Sequence, residues 1–489
     1  MFEPVVRGQH HLVLRYGVGD LRFSTTYWYD DVDFVELEAR YGGDAMRRVY
    51  FHLLAFEANK AGSLAPTDID FGPYDDLVDD SFWALWETLF RNVWAVWRWE
   101  NDLPAYRLAR PAAPQVVDNS AAINVEEGQT KLLMLCGGGK DSLVSMRLLE
   151  RAGIDYDTFV YSHSTYGRGQ PQHDLIDTLM SHCRPQRVHR AWVLDDALDA
   201  PIAAAYPQLG IRRIVAAETV SSYWLAVPVV LQHGLTEVAL GITRSTDEHN
   251  LVWDKTGEAI NYLWGMSAPA EELLHAYIQR ELLSNLTTFH LLRPIYDVNV
   301  FALLRHELDA VPSTHSCAQQ KPWCCRCAKC LYVWMSYVAW LPAETVAATV
   351  DVNLFDLAEN RTILRKMLGL ESYKPTDCVG TVSEARLAFA MCRARGITGI
   401  IADDIDVTDF VAEAESTLDH YATAISPGPI YPRRLVEPIG SLLRTNATST
   451  RQFALDLLGT LTQQTRRHRG RERDNAHAEV DRKAAATDT

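Results

Sequence analysis

The sequence predicts an α/β fold built on a doubly wound parallel sheet. Between residues 131 and about 300, short apolar runs alternate with amphipathic helical stretches. The predicted strands are LLMLC, DTFVYSHS, RVHRAWVL and TEVALGI, and the predicted helices cover 141–152, 171–183 and 219–232. This alternation produces parallel strands joined by crossover helices, and ligands then bind beyond the carboxyl ends of the strands. We therefore expect functional groups at 136–142, 162–164 and 243–250.

Three consecutive glycines follow the first of these strands. The loop and helix start read Gly137, Gly138, Gly139, Lys140, Asp141 and Ser142. Residues without a Cβ let the chain turn tightly and bring backbone N–H groups close to phosphate oxygens. The helix beginning near Asp141 points its positive end at the same place. This is not a Walker A loop, because Asp141 follows Lys140 where that motif has Ser or Thr. A β-to-α turn without a ligand is the alternative.

Composition limits the function classes. A chain of 489 residues suffices for about three domains, and no uninterrupted apolar run is long enough for a membrane helix. The net charge of −16 argues against nucleic acid as the main partner. The start, MFEPVVRGQHHLVLRYG, has no basic flank before an apolar stretch, so we expect a cytoplasmic protein without a secretory signal.

The pattern divides the chain into five regions. We expect an N-terminal α+β domain at 1–120, a nucleotide-binding domain at 121–312, a four-Cys segment at 313–340, a mostly helical region at 341–450, and an end helix with a disordered tail at 451–489. PAAPQVVDNS, at 111–120, is the predicted linker. In the first region Trp83, Trp86, Phe90, Trp94 and Trp97 share one helical face. This stripe predicts a buried helix, with an exposed aromatic platform as the alternative.

Five of the nine cysteines fall within 14 residues of the stretch SCAQQKPWCCRCAKC. The candidate metal ligands are Cys317, Cys324, Cys327 and Cys330. Their gaps of six, two and two residues let a short loop bring four thiolates around one tetrahedral zinc ion. Cys325 then points elsewhere or substitutes for a neighbour. An iron–sulfur cluster is the competing interpretation, and a closed four-Cys site is more often structural than catalytic.

The loop at 137–142 resembles the PP-loop of the ATP pyrophosphatases, SGGxDS, with Gly137 in place of the serine. Four further stretches resemble, in order and spacing, the MurL family of ATP-dependent epimerases. They are VALGITRSTDEHN, GEAINYLWGMSAPAEELLHAYI, KPWCCRCAKCLYVW and YKPTDCVGTVSEARLAF. The resemblance extends from the N-terminal strands to about residue 440. It implies a sheet of PP-loop type, adenine nucleotide α-hydrolase-like, with a four-Cys knot and a helical C-terminal region.

The resemblance implies epimerization of the terminal L-glutamate of UDP-N-acetylmuramoyl-L-alanyl-L-glutamate, a UDP-linked peptidoglycan precursor. ATP, Mg²⁺ and structural Zn²⁺ are the implied cofactors. Transfer of AMP to the carboxylate would make the neighbouring Cα proton more acidic, and a base and an acid would then invert the centre. In this scheme the three glycines and Ser142 hold pyrophosphate, Lys140 supplies positive charge and Asp141 orients Mg²⁺.

The candidate site residues form two groups. The catalytic candidates are Lys140, Asp141, Asp247, His249 and Cys378, and the ATP-binding candidates are Gly137, Gly138, Gly139, Lys140, Asp141, Ser142 and Arg244. Cys378 lies outside the cysteine cluster, and nearby Lys374 favours its thiolate, although an inert buried thiol is the alternative. Asp247 and His249 lie at a strand end. His163 has a catalytic and a core interpretation.

Two departures from the MurL pattern keep other functions open. Thr243 and Asp247 stand at the ends of a segment that reads Glu-Arg-Ser-Ala-Asn in the family, and the stretch 261–267 lacks a His and a Lys. A different acidic substrate is one alternative. A PP-loop amide ligase or sulfur transferase and a non-catalytic nucleotide-binding scaffold are the others. The sequence predicts no membrane or nucleic-acid partner and leaves the oligomeric state open.

Overall fold

A computed structural model of the protein places a mixed α/β fold around an eight-stranded sheet. It describes residues 1–108, 110, 121–198, 200–210, 215, 218–317 and 319–485, without the side chains of 203, 218 and 460–485. The strands are β1 (Val6–Arg7), β2 (His11–Val18), β3 (Leu21–Tyr29), β4 (Leu132–Leu135), β5 (Asp157–His163), β6 (Val188–Asp195), β7 (Glu237–Leu240), β8 (Leu251–Val252), β9 (Ala259–Ile260) and β10 (Thr287–His290). Strands β8 and β9 form a separate small hairpin.

The strand order in the large sheet is β1-β2-β3-β6-β5-β4-β7-β10. Five neighbouring strands of this sheet are parallel to one another, namely β6, β5, β4, β7 and β10, which confirms the predicted parallel core. Strands β1 to β3 add an antiparallel extension, because β3 pairs with β6. The N-terminal strands thus continue the central sheet, an arrangement that local sequence patterns do not reveal. The carboxyl ends of the parallel strands meet at one edge, beside the glycine loop at 137–139.

Helices cover both faces of this sheet. They are α1 (Phe34–Tyr41), α2 (Gly43–Ala58), α3 (Asp80–Val93), α4 (Ala95–Glu100), α5 (Lys140–Arg151), α6 (Gly169–Met180), α7 (Ile202–Ala205), α8 (Glu218–His233), α9 (Ala268–Glu281), α10 (Asp297–Leu303), α11 (Ala328–Trp340), α12 (Ala343–Thr349), α13 (Arg361–Met367), α14 (Val382–Ala394), α15 (Thr408–Tyr421) and α16 (Arg433–Ala485). Strand β4 explains the layering. Leu132 and Met134 join one hydrophobic core, while Leu133 and Leu135 join the other. A strand covered on both sides reads as a continuous apolar run, as LLML does.

The aromatic stripe forms part of the N-terminal core. Its five side chains are all buried, which confirms the prediction of a buried helical face. The expected single helix is divided at Trp94, which lies between α3 and α4. Phe90 and Trp94 stack with ring centroids 4.7 Å apart across this break. The stripe therefore holds the N-terminal helices to the sheet and offers no exposed platform.

From residue 341 onward the described chain forms helices α12 to α16, in agreement with the predicted helical C-terminal region. Helix α16 is assigned to Arg433–Ala485. The expected disordered tail falls largely on residues whose side chains lie outside the described set, so it stays a prediction. The expected linker at 111–120 lies outside the described residues as well. In the described part of the chain, no helix combines the length and the apolar character needed to span a bilayer.

Candidate functional site

The glycine loop at 137–139 is fixed by the segment that leads into the cysteine cluster. Gly138 has φ of +79°, a conformation that costs little only without a Cβ. A Cβ there would lie 2.0 Å from Cε1 of His315. The backbone N–H of His315 donates to the Gly138 carbonyl at 2.9 Å, and the Gly137 N–H donates to Ser142 Oγ at 3.2 Å. The loop and residues 315–316 therefore form one packed unit.

Lys140 lies buried at the start of α5 between two carboxylates. Its Nζ is 2.8 Å from Asp141 Oδ1 and 3.4 Å from Asp297 Oδ2. Burial alone would lower the pKa of Lys140, but Asp141 and Asp297 raise it above its usual value. The lysine therefore stays charged. Thr243 donates to Asp297 Oδ1 at 2.7 Å, so the ends of β4, β7 and β10 meet at this ion pair.

A second layer holds Asp297 in place. Its backbone N–H donates to Ser245 Oγ at 2.9 Å, and Ser245 donates to Glu384 Oε1 at 3.0 Å. Burial, together with the nearby Asp297 charge, raises the pKa of Glu384 to about 7. Glu384 also closes a capping box with Thr381 at the start of α14. These bonds hold the start of helix α14 next to Asp297.

The four predicted metal ligands come together as expected. The Sγ atoms of Cys317 and Cys327 are 3.9 Å apart, and those of Cys324 and Cys330 are 3.8 Å apart. Tetrahedral zinc with Zn–S bonds of ~2.3 Å needs sulfurs about 3.8 Å apart. Backbone N–H groups approach three of these sulfurs, including Gln319 to Cys317 at 3.3 Å. The donor set fits a structural zinc ion.

Cys325 is separated from this set by its backbone. It has φ of +60°, and the four-thiol group comprises its neighbours without it. The left-handed turn at Cys325 lets Cys324 and Cys327 face the same point. The prediction that Cys325 points elsewhere therefore holds among the described residues.

Two adjoining cavities open above the strand ends. One, of about 410 Å³, is lined by the glycine loop, Lys140, Asp297 and two lysines of the cysteine segment, Lys321 and Lys329. The other, of about 600 Å³, extends toward the N-terminal helices, where Glu57 and Lys60 line it. The cavities share the lining residues Tyr161, His163, Tyr166, Thr219, Ser222, Tyr262, Leu263, Met266 and Cys378. Cys378 thus lies where a nucleotide chamber would meet a second ligand chamber.

The surroundings of Cys378 differ from those expected. Its backbone N–H donates to Asp377 Oδ1 at 2.7 Å, and Asp377 Oδ2 accepts the Lys329 backbone N–H at 3.2 Å. Burial would lower the pKa of Lys329, but Cys378 and Asp377 raise it. Lys374, the expected partner, instead has its Nζ 3.4 Å from the Glu248 carbonyl. The lysine that acts on the thiol is therefore Lys329, on the cysteine knot.

Three other predicted residues do not line the described part of either cavity. Asp247 accepts two hydrogen bonds from Arg293, both at 2.6 Å. His249 is exposed, and the Arg244 backbone N–H bonds to the Ile295 carbonyl at 2.9 Å. Asp247 is thus ion-paired with Arg293, and the catalytic or ATP-binding roles of Asp247, His249 and Arg244 stay predictions.

His163 does line both cavities. Its Nδ1 accepts the Thr165 backbone N–H at 3.2 Å, and its Nε2 lies 3.8 Å from Asp195 Oδ2. A ring nitrogen that accepts a backbone N–H is unprotonated in the neutral ring, so the proton resides on Nε2. From this tautomer His163 can therefore offer a proton at Nε2.

The sequence interpretation missed Asp297, Lys321 and Lys329. A signal existed for Asp297, since it lies beyond the carboxyl end of the parallel strand β10, where ligands of such a sheet bind. Lys321 and Lys329 lie between the predicted metal ligands, and their spacing gives no reason to place them at a phosphate site. Whether these side chains reach the cleft depends on how the backbone of the cysteine segment folds. The spacing of the cysteines alone does not define that backbone.

Comparison with known proteins points to one family. The profile of the MurL C-terminal domain matches residues 313–420, and that of the MurL N-terminal domain matches residues 52–176. Three relatives are named UDP-N-acetyl-alpha-D-muramoyl-L-alanyl-L-glutamate epimerase. The Salinispora tropica protein is 24% identical over 373 residues, 73% of this chain and 77% of the relative. The Micromonospora protein is 28% identical over 321 residues, 63% and 67% of the two chains. The Xanthomonas oryzae protein is 24% identical over 388 residues, 74% and 77%.

Replacing one knot ligand tests the metal assignment. Cys327→Ser should release the ion bound at the knot and lower the thermal unfolding midpoint by about 5 °C or more, because a structural metal contributes directly to folding. Elemental analysis and calorimetry measure both effects. Cys325→Ser is the matched control and should retain the ion. Unchanged metal content in Cys327→Ser, or iron with sulfide in the wild type, would contradict the zinc knot.

Proposed function

Since this chain belongs to the MurL family, we propose that it epimerises the terminal L-glutamate of UDP-N-acetylmuramoyl-L-alanyl-L-glutamate in peptidoglycan precursor synthesis. ATP transfers AMP to the glutamate carboxylate, and AMP and pyrophosphate are the nucleotide products. The observation that carries this proposal is the shared boundary of the two cavities. It brings a glycine loop and lysines to one side of Cys378 and a second chamber to the other.

The need for ATP follows from carbon acidity. A Cα proton beside a carboxylate is very weakly acidic, because its removal adds a second negative charge to the same unit. Adenylation removes the carboxylate charge and leaves a carbonyl that accepts electron density. A base on one face then takes the proton, an acid on the opposite face returns one, and water hydrolyses the adenylate.

The smaller cavity suits the phosphates of ATP. Backbone N–H groups of the glycine loop and the start of α5 provide donors, in an arrangement of PP-loop type. Lys321 and Lys329 line the same cavity and supply further positive charge. Asp141 and Asp297 offer carboxylate oxygens on either side of Lys140, a donor set that fits Mg²⁺. When bound, Mg²⁺ would neutralise phosphate charge there.

Proton transfer is assigned to the boundary between the cavities. Apart from tyrosines, Cys378 and His163 are the titratable side chains among the described residues that line both cavities. We assign the thiolate of Cys378 to removal of the Cα proton and Nε2 of His163 to its return. The positive charge of Lys329 favours the thiolate form. Asp247 and His249 are no longer part of the proposed mechanism.

The first test removes the positive charge beneath the glycine loop. Lys140→Ala should lower substrate-dependent release of AMP and pyrophosphate by about 100-fold or more, as loss of a group that stabilises developing charge does. Lys131→Ala removes an exposed lysine near the start of β4, paired with Glu127, and should leave the rate unchanged. Circular dichroism checks folding. Formation of ADP and phosphate by the wild type would overturn the proposed ATP chemistry.

The second test separates adenylation from proton transfer. Cys378→Ala should retain pyrophosphate release while losing inversion and deuterium uptake from D₂O, because the base is gone but the phosphate site is intact. Cys183→Ala, a half-buried cysteine that lines neither cavity, should behave as wild type. Normal inversion by Cys378→Ala would exclude this thiol. Loss of both partial reactions would indicate that the loop positions the adenylate instead.

A further inference from the structure

A second cluster of metal-ligating side chains lies at the other end of the parallel strands. Asp31 follows β3, His189 belongs to β6, and His233 ends α8. One ligand atom from each lies within 4.8 Å of the others. Asp31 Oδ2 is 2.5 Å from His189 Nδ1 and 3.0 Å from His233 Nε2. The two imidazole rings have centroids 4.3 Å apart. These strand starts face away from the cavities, so the cluster is separate from the proposed catalytic site.

The fourth member of the cluster orients His189. Asp157, at the start of β5, places Oδ2 3.2 Å from His189 Nε2. A metal-bound histidine commonly donates its other ring N–H to a carboxylate, which fixes the tautomer and makes the ligating nitrogen more basic. Nδ1 of His189 is hydrogen-bonded to Asp31 Oδ2 at 2.5 Å, so an ion bound between these atoms would displace the proton that they share. Both His189 and Asp157 are fully buried, so this orientation is fixed by packing.

Several polar atoms of the cluster lack a hydrogen bond within the described chain. They are His233 Nε2, Asp31 Oδ1 and Asp157 Oδ1, all shielded from solvent. His233 Nε2 lies within reach of Asp31, yet the contact does not have hydrogen-bond geometry. Two ligands of one metal ion have this arrangement, because both point at the ion and neither points at the other. Arg187 lies 3.4 Å from His233 Nδ1, on the far side of that ring. A hydrogen bond of that length is too weak to hold the opposite tautomer.

We propose that Asp31, His189 and His233 bind a zinc ion, with water as the fourth ligand and Asp157 as the orienting carboxylate. Two imidazoles and a carboxylate are typical zinc ligands. With neutral imidazoles the cluster carries the two negative charges of Asp31 and Asp157, which a divalent ion balances. Asp31 is partly exposed, with 35% of its side chain accessible, so the ion can enter and keep a water ligand.

The ion would have a structural role. It joins the turn after β3, the second residue of β6 and the end of α8. Strand β3 pairs with β6 from Thr25 to Tyr29, and Asp31 lies two residues beyond the last pair. The ion would therefore close the junction between the antiparallel extension and the parallel strands, at the end where the pairing stops.

Metal counting tests the proposal independently of activity. The wild type should hold about two zinc ions per chain, one at each site. Asp31→Asn keeps the size of the side chain and His233→Gln keeps a polar group, and each should reduce the count to about one. His182→Gln is the matched control, because His182 forms another histidine–aspartate pair, 3.6 Å from Asp309. It should retain both ions.

Cobalt exchange identifies which ion is lost. Thiolate-to-cobalt charge-transfer absorption reports the cysteine knot, and the nitrogen–oxygen site lacks it. In Asp31→Asn the thiolate absorption should persist while the weaker ligand-field absorption of the second ion disappears. Wild-type protein that binds only the thiolate-coordinated ion, or an Asp31→Asn variant with undiminished cobalt, would overturn the proposal. In either case the cluster would be an imidazolium held between carboxylates.

Discussion

The close contact between Gly138 and residues 315–316 is the constraint on which the rest of the site depends. The ring of His315 occupies the space that a Cβ at position 138 would need, and its backbone holds the Gly138 carbonyl. The next residue but one, Cys317, enters the cysteine knot. The knot therefore does more than stabilise a loop. It forms part of the lining of the phosphate cavity and brings Lys329 to the segment that carries Cys378.

This arrangement places two kinds of charge in one cleft. Lys140 is held between Asp141 and Asp297, so its charge is already balanced within the protein. Lys321 and Lys329 also line this cavity and add positive charge for phosphate oxygens. An incoming triphosphate and its cation would then meet both carboxylates and ammonium groups. Such a mixed lining suits a metal-bound polyphosphate.

The sequence correctly predicted the elements whose structure depends on residues close together in the chain. The run LLML, the glycines after it and the cysteine spacing each encode their structure within about 15 residues, and β4, the loop and the knot formed as predicted. Contacts between residues that are far apart in the sequence were not predicted. Asp247 sits at a strand end as expected, but Arg293 engages both of its carboxylate oxygens. Nothing near Asp247 in the sequence indicates that partner.

The N-terminal strands illustrate the same limit. Their alternation predicts strands, but the pairing of β3 with β6 joins residues more than 160 positions apart in the chain. Asp297 was missed because TTFH, the sequence of β10, lacks the continuous apolar run of LLML, so the sequence predicts no strand before it. The lysines of the knot can be read from the sequence. The position of their side chains depends on the fold of the knot, which includes the left-handed turn at Cys325.

The central claim is that this cleft activates a glutamate carboxylate with ATP and then exchanges its Cα proton. The most direct measurement is incubation of the wild-type protein with ATP, Mg²⁺ and UDP-N-acetylmuramoyl-L-alanyl-L-glutamate in D₂O, followed by chiral analysis and mass spectrometry of the glutamate. The account predicts D-glutamate carrying deuterium at Cα, together with AMP and pyrophosphate, and no reaction without ATP. Inversion in the absence of ATP, or a product containing a new amide or sulfur, would contradict it.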